Sequence, residues 1–208
     1  MANDYRDLVG SATTFLKQKL IEVAPGYHAP NVAATLTDAA GASIASLTVE
    51  GRVAVVVGTL TRPADTTPYA ILDGMTTSTS APAVVTVANA ARVAEGSGLI
   101  VGARMAKNTT SLPASFRVHV YDGSPAGIPN DNAAFAEQWA NRAIYVGYID
   151  FASFRAGADC AISSGVMSRS LLAFKLTAGT SLYLIHQAMA AYTPASGEVF
   201  DTYFDISG

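Results

Sequence analysis

The sequence predicts an all-β chain: an antiparallel β-sandwich or jelly roll, with one short helix and an extended N-terminal arm. Three observations carry this expectation. From Arg52 onward, runs rich in β-branched and aromatic residues recur between glycine and proline punctuation, as strands separated by turns do. Only one segment, PNDNAAFAEQWANR (129–142), combines a polar capping residue with helical apolar spacing. The strand runs are joined without the regular helical stretches that a parallel α/β sheet requires.

Residues 1–50 differ in character from the rest of the chain. In FLKQKLIEVAPGYHAPNVAATL, Pro25 and Pro30 flank Tyr27 and His28 and rule out a continuous helix, so this part reads as an arm with one or two short strands. TDAAGASIASL is rich in small residues and reads either as a hinge or as a closely packed crossing. The domain proper is expected over 51–208. RVAVVVGTLT, dense in β-branched residues between Gly51 and Pro63, reads as a buried strand. Pro63, Pro68, Gly74 and Pro82 then divide the next stretch into a loop, a short strand, a threonine-serine loop and another strand. GSGLIVGARMAK, SFRVHVYD, AIYVGYIDF, SLLAFKLT, SLYLIHQAMAAY and GEVFDTYFDIS supply the rest, about eight strands in all. In the helical segment, Asn130 or Asp131 caps the first turn. Phe135 and Trp139, four apart, then share a face and plug the core.

Half of the 208 residues are apolar and 14% are charged, which gives ample core and a surplus of apolar surface to bury against other chains. A formal net charge of -3 supplies no general attraction to phosphate, so nucleic acid is not an expected partner. The most apolar stretch, LLAFKLTAGTSLYLIHQAMAA, is broken by Lys175, Thr177, Gly179 and His186 well short of the roughly 20 residues of a membrane-spanning helix, so no membrane partner is expected. The N-terminus, with Asp4 and Asp7, lacks a secretory pattern. The single Cys160 excludes an internal disulfide and reads as a small core residue or, less simply, as a reactive thiol.

No catalytic signature survives inspection, and neither an enzyme nor a cofactor is expected. Ser43 and Ser97 lack the glycine that a nucleophile elbow needs. GSGLIVG has the wrong spacing for a dinucleotide loop and leads into β-branched residues, so it reads as a turn entering a strand. His28, His119 and His186 lie on different elements without a second ligand at metal spacing. DGSPAGIPNDN offers oxygen ligands but departs from the order of a calcium-binding loop. Glu198, Asp201 and Asp205 are the nearest to a carboxylate set. Strand alternation, however, puts Asp201, Asp205 and Tyr203 on one face and Glu198 on the other. In SFRVHVYDGSPAGIPNDNAAF the same alternation puts Phe116, Val118 and Val120 on one face and Arg117, His119 and Tyr121 on the other. His119 is thereby expected to face solvent or a neighbouring subunit, with Arg117 disfavouring its protonation.

LTRPADTTPYAILDGM, GSGLIVGARMAKN, FRVHVYDGSPAGIPNDNAAFAEQWANRAIYVGYIDF and TPASGEVFDTYFDIS together resemble a group of tailed-bacteriophage virion structural proteins, over roughly residues 45 to 206. The preceding KQKLIEVAPGYHAPNVAA is similar to an N-terminal segment often joined to such domains. The resemblance implies a capsid decoration, or cement, protein: a jelly-roll domain, commonly trimeric, on the outer surface of the shell, with the major capsid protein as partner. On that reading Phe15, Leu20, Ile21, Tyr27 and His28 of the arm contact the capsid, and Arg117, His119 and Tyr121 lie at an intersubunit contact. A tail, baseplate or head-fibre component that contacts the host through TTPYAILDGMTTSTSAP or DGSPAGIPNDN is the alternative. A glycan-cleaving virion enzyme using Asp201 or Asp205 is a minor one.

Overall fold

The computed structural model describes residues 53–112 and 115–208 in full, together with the backbone of six short strands in residues 1–52. The chain divides into two compact units, 1–50 and 51–208. In the first, β1 (Tyr5–Leu8) pairs with β2 (Leu16–Lys19), β3 (Glu22–Ala24) with β4 (Tyr27–His28), and β5 (Thr35–Thr37) with β6 (Ser43–Ser46), all antiparallel. These are more strands than the one or two expected there. The side chains of Phe15, Leu20, Ile21, Tyr27 and His28, the expected capsid contacts, lie outside the described residues.

The second unit is a sandwich of two antiparallel sheets. Its strands are β7 (Val53–Thr61), β8 (Gly74–Met75), β9 (Val85–Val87), β10 (Ser97–Lys107), β11 (Phe116–Tyr121), β12 (Tyr145–Phe151), β13 (Arg155–Ala156), β14 (Ala161–Ser164), β15 (Val166–Met167), β16 (Leu172–Lys175), β17 (Leu182–Ala188) and β18 (Val199–Ser207). One sheet runs β13-β14-β10-β18-β7, with β16 beside β10 on the same flank as β14; the other runs β15-β12-β11-β17-β8, with β9 also on β17. Each longer run read from the sequence after Arg52 forms a strand, but the short strand expected between Pro68 and Gly74 is a turn with isolated bridges at Tyr69 and Asp73, and β8 begins only at Gly74. The short pieces β13, β14 and β15 have no counterpart among those runs.

The core lies between the sheets and follows the period of two. On β11, Phe116, Val118 and Val120 point inward, and on β18, Phe200, Phe204 and Ile206 do. Phe116 meets Phe200 and Tyr192 edge-on at 5.2 and 5.4 Å, joining the two sheets. Gly58 lets β7 close over the second sheet, because a Cβ there would stand 2.8 Å from Val87. Gly147 (φ +149°) occupies the bulge where β12 shifts register against β11, and a Cβ would strike Leu172 and Ser168.

Two corrections concern individual elements. RVAVVVGTLT is an edge strand with an exposed outer face, not a buried strand. A run of consecutive valines reads the same in either position, and only the lack of a neighbour beyond β7 among the described residues distinguishes them. No α-helix forms over 130–142; the only helical turn among the described residues is the 3-10 helix Trp139–Ala143, and no side chain caps it. Phe135 is buried while Trp139 is 79% exposed, so the pair does not share a face.

Two polar clusters have their charged or ring groups inside the sandwich, the first reaching the surface at Ser111. Four oxygens lie within reach of the three N–H donors of Lys107 Nζ: Glu198 Oε1 (2.7 Å), Thr109 Oγ1 (2.6 Å), Ser111 Oγ (2.7 Å) and Tyr192 Oη (3.0 Å), and Tyr192 donates to Glu198 Oε2 (2.5 Å). Thr109 also bonds Glu198. Both charged side chains are inaccessible to water, so each depends on the other. In the second cluster His186 of one sheet meets Thr202 of the other, Nε2 to Oγ1 at 3.0 Å. Lys107→Met is expected to destabilise the fold by about 3–5 kcal/mol in urea unfolding, by stranding a buried carboxylate, and adding Glu198→Leu to restore most of the loss. A loss below about 1 kcal/mol for the single variant would show that the carboxylate does not rely on Lys107.

Candidate functional site

The outer face of the second sheet carries the polar alternation of β11. Arg117 and Asp150 stand opposite each other in register and form a bidentate pair, Nε to Oδ1 at 2.7 Å and Nη2 to Oδ2 at 2.9 Å. The guanidinium lies 3.8 Å over the Tyr148 ring. His119 accepts or donates at both ring nitrogens, Nδ1 to Tyr145 Oη and Nε2 to Gln187 Oε1, each 3.1 Å. Tyr121 donates to Glu137 Oε2 at 2.5 Å.

His119 and Tyr121 are not presented to solvent. The segment 122–144 folds back over them, placing Phe135 4.8 Å from the His119 ring, and Tyr121, Phe135 and Ile185 form a second small core. Only Arg117 of the three expected intersubunit residues is partly exposed. The local sequence reads a glycine-proline loop followed by a helix, and neither signal says where the segment lands. Burial lowers the pKa of His119, and Arg117 acts in the same direction. Burial likewise raises the pKa of the Tyr121 hydroxyl, assisted by Glu137, and separately pushes the Tyr145 hydroxyl up to about 12.

The covering segment is pinned at several points. Asp131 Oδ1 accepts from Tyr69 Oη (2.7 Å) and the Thr76 amide (2.9 Å), and Oδ2 from Arg62 Nη2 (3.0 Å). Arg62 also contacts Tyr69 through Nε, and Arg62 and Asp131 are both buried. Burial opposes the charge on Arg62, but Tyr69 and Asp131 outweigh it and raise the pKa. Phe135 N donates to Leu72 O (2.9 Å), and Asn141 bonds the Ala126 amide and carbonyl at 2.9 and 3.0 Å. This geometry sets the direction of Trp139. It projects outward at the rim of a shallow depression of about 330 Å³ lined by Glu137, Gln138, Trp139, Arg142 and Tyr145.

The outer face of the first sheet is different. On β7, Val53, Val55 and Val57 are 56%, 56% and 42% exposed in a row; the strand has no charged residue and, among the described residues, no strand beyond it. Beside them on β18 stand Tyr203 and Asp205, opposite Val57 and Val55, with Asp201 opposite Thr59. A separate groove of about 400 Å³ is lined by Ala54, Ala91, Arg92, Val93 and Ile206, on the face of β7 opposite the valine row.

The remaining sequence candidates are dispersed. Asp201 accepts from Thr59 Oγ1 (2.6 Å) and Asp205 lies 3.9 Å from Arg104, whereas Glu198 is buried with Lys107, so the three carboxylates do not converge. Among the described residues no group of three His, Cys, Asp or Glu side chains is placed to hold a metal ion. Within DGSPAGIPNDN, Asp131 already serves Arg62, Tyr69 and Thr76. Cys160 is half-buried and unpaired. No helix among the described residues is long and apolar enough to cross a membrane.

His186 gives the sandwich an acid sensitivity. Burial pushes its pKa down to about 3, from an ordinary value near 6.5, so below pH 6.5 the unfolded chain takes up a proton that the folded chain refuses. Stability is therefore lost as pH falls from about 6.5 toward 3, by about 2–3 kcal/mol at pH 4.5 from this group. Urea unfolding at pH 7 and 4.5 should show His186→Gln losing less stability than the parent by that amount. Equal losses would mean that residue 186 is protonated in the folded state.

Compared with known proteins, the chain matches no family model, no curated protein and no solved structure.

Proposed function

We propose that this chain is a structural protein of a tailed-bacteriophage particle, of the capsid-decoration type, which works as an oligomer bound to the outside of the shell. The observation that carries the reading is the valine row of β7. Three large apolar side chains on an uncharged edge strand of nine residues form a surface that soluble monomers avoid, because its free amides and carbonyls invite pairing and its apolar face invites burial. Edges of this kind are normally blunted by lysine, proline or a bulge, and β7 has none of these.

The strand order supports the jelly-roll form of this proposal. Taken as eight successive strands (β7, β8 with β9, β10, β11, β12, β14 with β16, β17, β18), the first sheet orders them one, eight, three, six and the second two, seven, four, five. That is the arrangement of two interlocked Greek keys. The unit of residues 1–50 precedes β7 in sequence, and on this reading it is the arm that grips the major capsid protein through Phe15, Leu20, Ile21, Tyr27 and His28. Tethering three such arms in a trimer raises the effective concentration of each and strengthens weak individual contacts by about 10² to 10⁴.

A head-fibre or tail component is the second reading, favoured by the outward Trp139 on a fixed loop. Quantitative protein composition of purified particles separates the two: hundreds of copies are expected for decoration, and a few to tens would reassign the chain to a fibre or tail.

Light scattering tests the oligomer directly. The parent chain is expected to have the mass of a trimer, and Val55→Lys with Val57→Lys to dissociate it while leaving the circular dichroism spectrum unchanged. A monomeric parent would remove the basis for the proposal.

A further inference from the structure

We propose that the depression at Trp139 is a binding site for a neutral saccharide. Trp139 is the only tryptophan in the chain, and 79% of it is exposed even though the Arg142 guanidinium lies 4.7 Å over its ring. A side chain so exposed with one face under a guanidinium has its other face open to water. An open indole face in water is an unfavourable use of the largest apolar side chain, and the axial C–H face of a pyranose is a fitting complement to it.

The polar groups around the ring match the rest of such a ligand. Glu137 lies at the rim with its carboxylate oriented by Tyr121 Oη at 2.5 Å and, more weakly, by Asn141 Nδ2 at 3.4 Å. Arg142 is steadied by donating Nη1 to the Trp139 carbonyl at 3.0 Å, and Gln138 and Tyr145 complete the lining. Vicinal hydroxyls both donate and accept, so a carboxylate and a guanidinium lining one depression can hold them together. The same two groups cancel in charge. An anionic ligand would gain from Arg142 and lose against Glu137, which favours a neutral one.

The site is preorganised. Asn141, beneath the indole-bearing turn, is buried and bonded on both sides to Ala126, and the segment 122–144 is held at Asp131 and Phe135 as well. Little ordering entropy remains to be lost when a ligand stacks. A volume of about 330 Å³ is at the lower end for small-molecule sites, suited to one or two sugar rings with affinity in the millimolar range. The site would serve equally on a capsid-decorating protein and on a fibre.

The sole tryptophan makes the test site-specific. Methyl glycosides of glucose, galactose and N-acetylglucosamine, together with maltotriose, chitotriose and the anionic 3′-sialyllactose, are titrated against the full chain up to about 20 mM, a range suited to millimolar affinities. Indole emission and saturation-transfer NMR are the readouts. At least one neutral probe is expected to shift the emission and to contact the protein through its ring protons. Trp139→Ala should weaken that contact about tenfold or more by NMR with little change in melting temperature, since 79% of the side chain is exposed and it makes no core contact. Glu137→Gln, which keeps the shape, should weaken it less. No binding by any probe, binding that survives Trp139→Ala, or preference for sialyllactose over the neutral probes would each overturn the proposal.

Discussion

The carboxylate of Asp131 fixes the loop that covers the second sheet. It lies in the interior and accepts hydrogen bonds from Arg62, Tyr69 and the Thr76 amide, three points on the stretch after β7. A buried carboxylate is tolerable only if charge and hydrogen bonds surround it, so the loop that carries Asp131 has one place to sit. From that anchor the rest of 122–144 is laid across the outer face of the second sheet. Phe135 turns in against His119, Asn141 locks onto Ala126, and Trp139 is left pointing out.

That covering makes the sandwich asymmetric. Both sheets contribute inward side chains to one core, and His186 with Thr202 adds a polar link across it. On the second sheet a further layer of the chain's own loop seals His119 and Tyr121 beneath Phe135. Among the described residues, the first sheet has no comparable loop over the valines of β7. The outer face of one sheet is therefore buried within the chain, while the apolar row on the other stays exposed among the described residues.

The longer strands are legible in the sequence because a period of two over six or more residues is a local signal, and the faces of β11 and β18 follow it residue by residue. The helix expected after Pro129 rests on equally local signals: a capping residue and an apolar pair four apart. They fail because Asp131 is recruited by Arg62, 69 positions away, and a carboxylate engaged in the interior cannot cap a helix at the surface. The same long-range contact explains why Phe135 and Trp139 separate. β13, β14 and β15 are not legible because each is at most four residues long and most are built of small or polar types, so only pairing with β10, β12 and one another makes them strands. Of the candidate surfaces, the valine run is visible in the sequence but reads as buried, and the outward Trp139 has no signal at all, since it results from how Asp131 is held.

Separating the two outer surfaces also separates two kinds of work. A flat, uncharged edge with free backbone groups favours extended, repetitive contact in which many weak bonds add, and it has no means of distinguishing one small molecule from another. A fixed aromatic face flanked by one acid and one base has little area for a protein but selects by the direction of a few hydrogen bonds. The two lie on different sheets, the first on β7 and the second on the loop between β11 and β12. Burying the valines in an assembly therefore need not cover Trp139. A protein that uses one sheet to hold its place can keep a loop on the other available for recognition, and the carboxylate of Asp131 keeps that loop in a single shape.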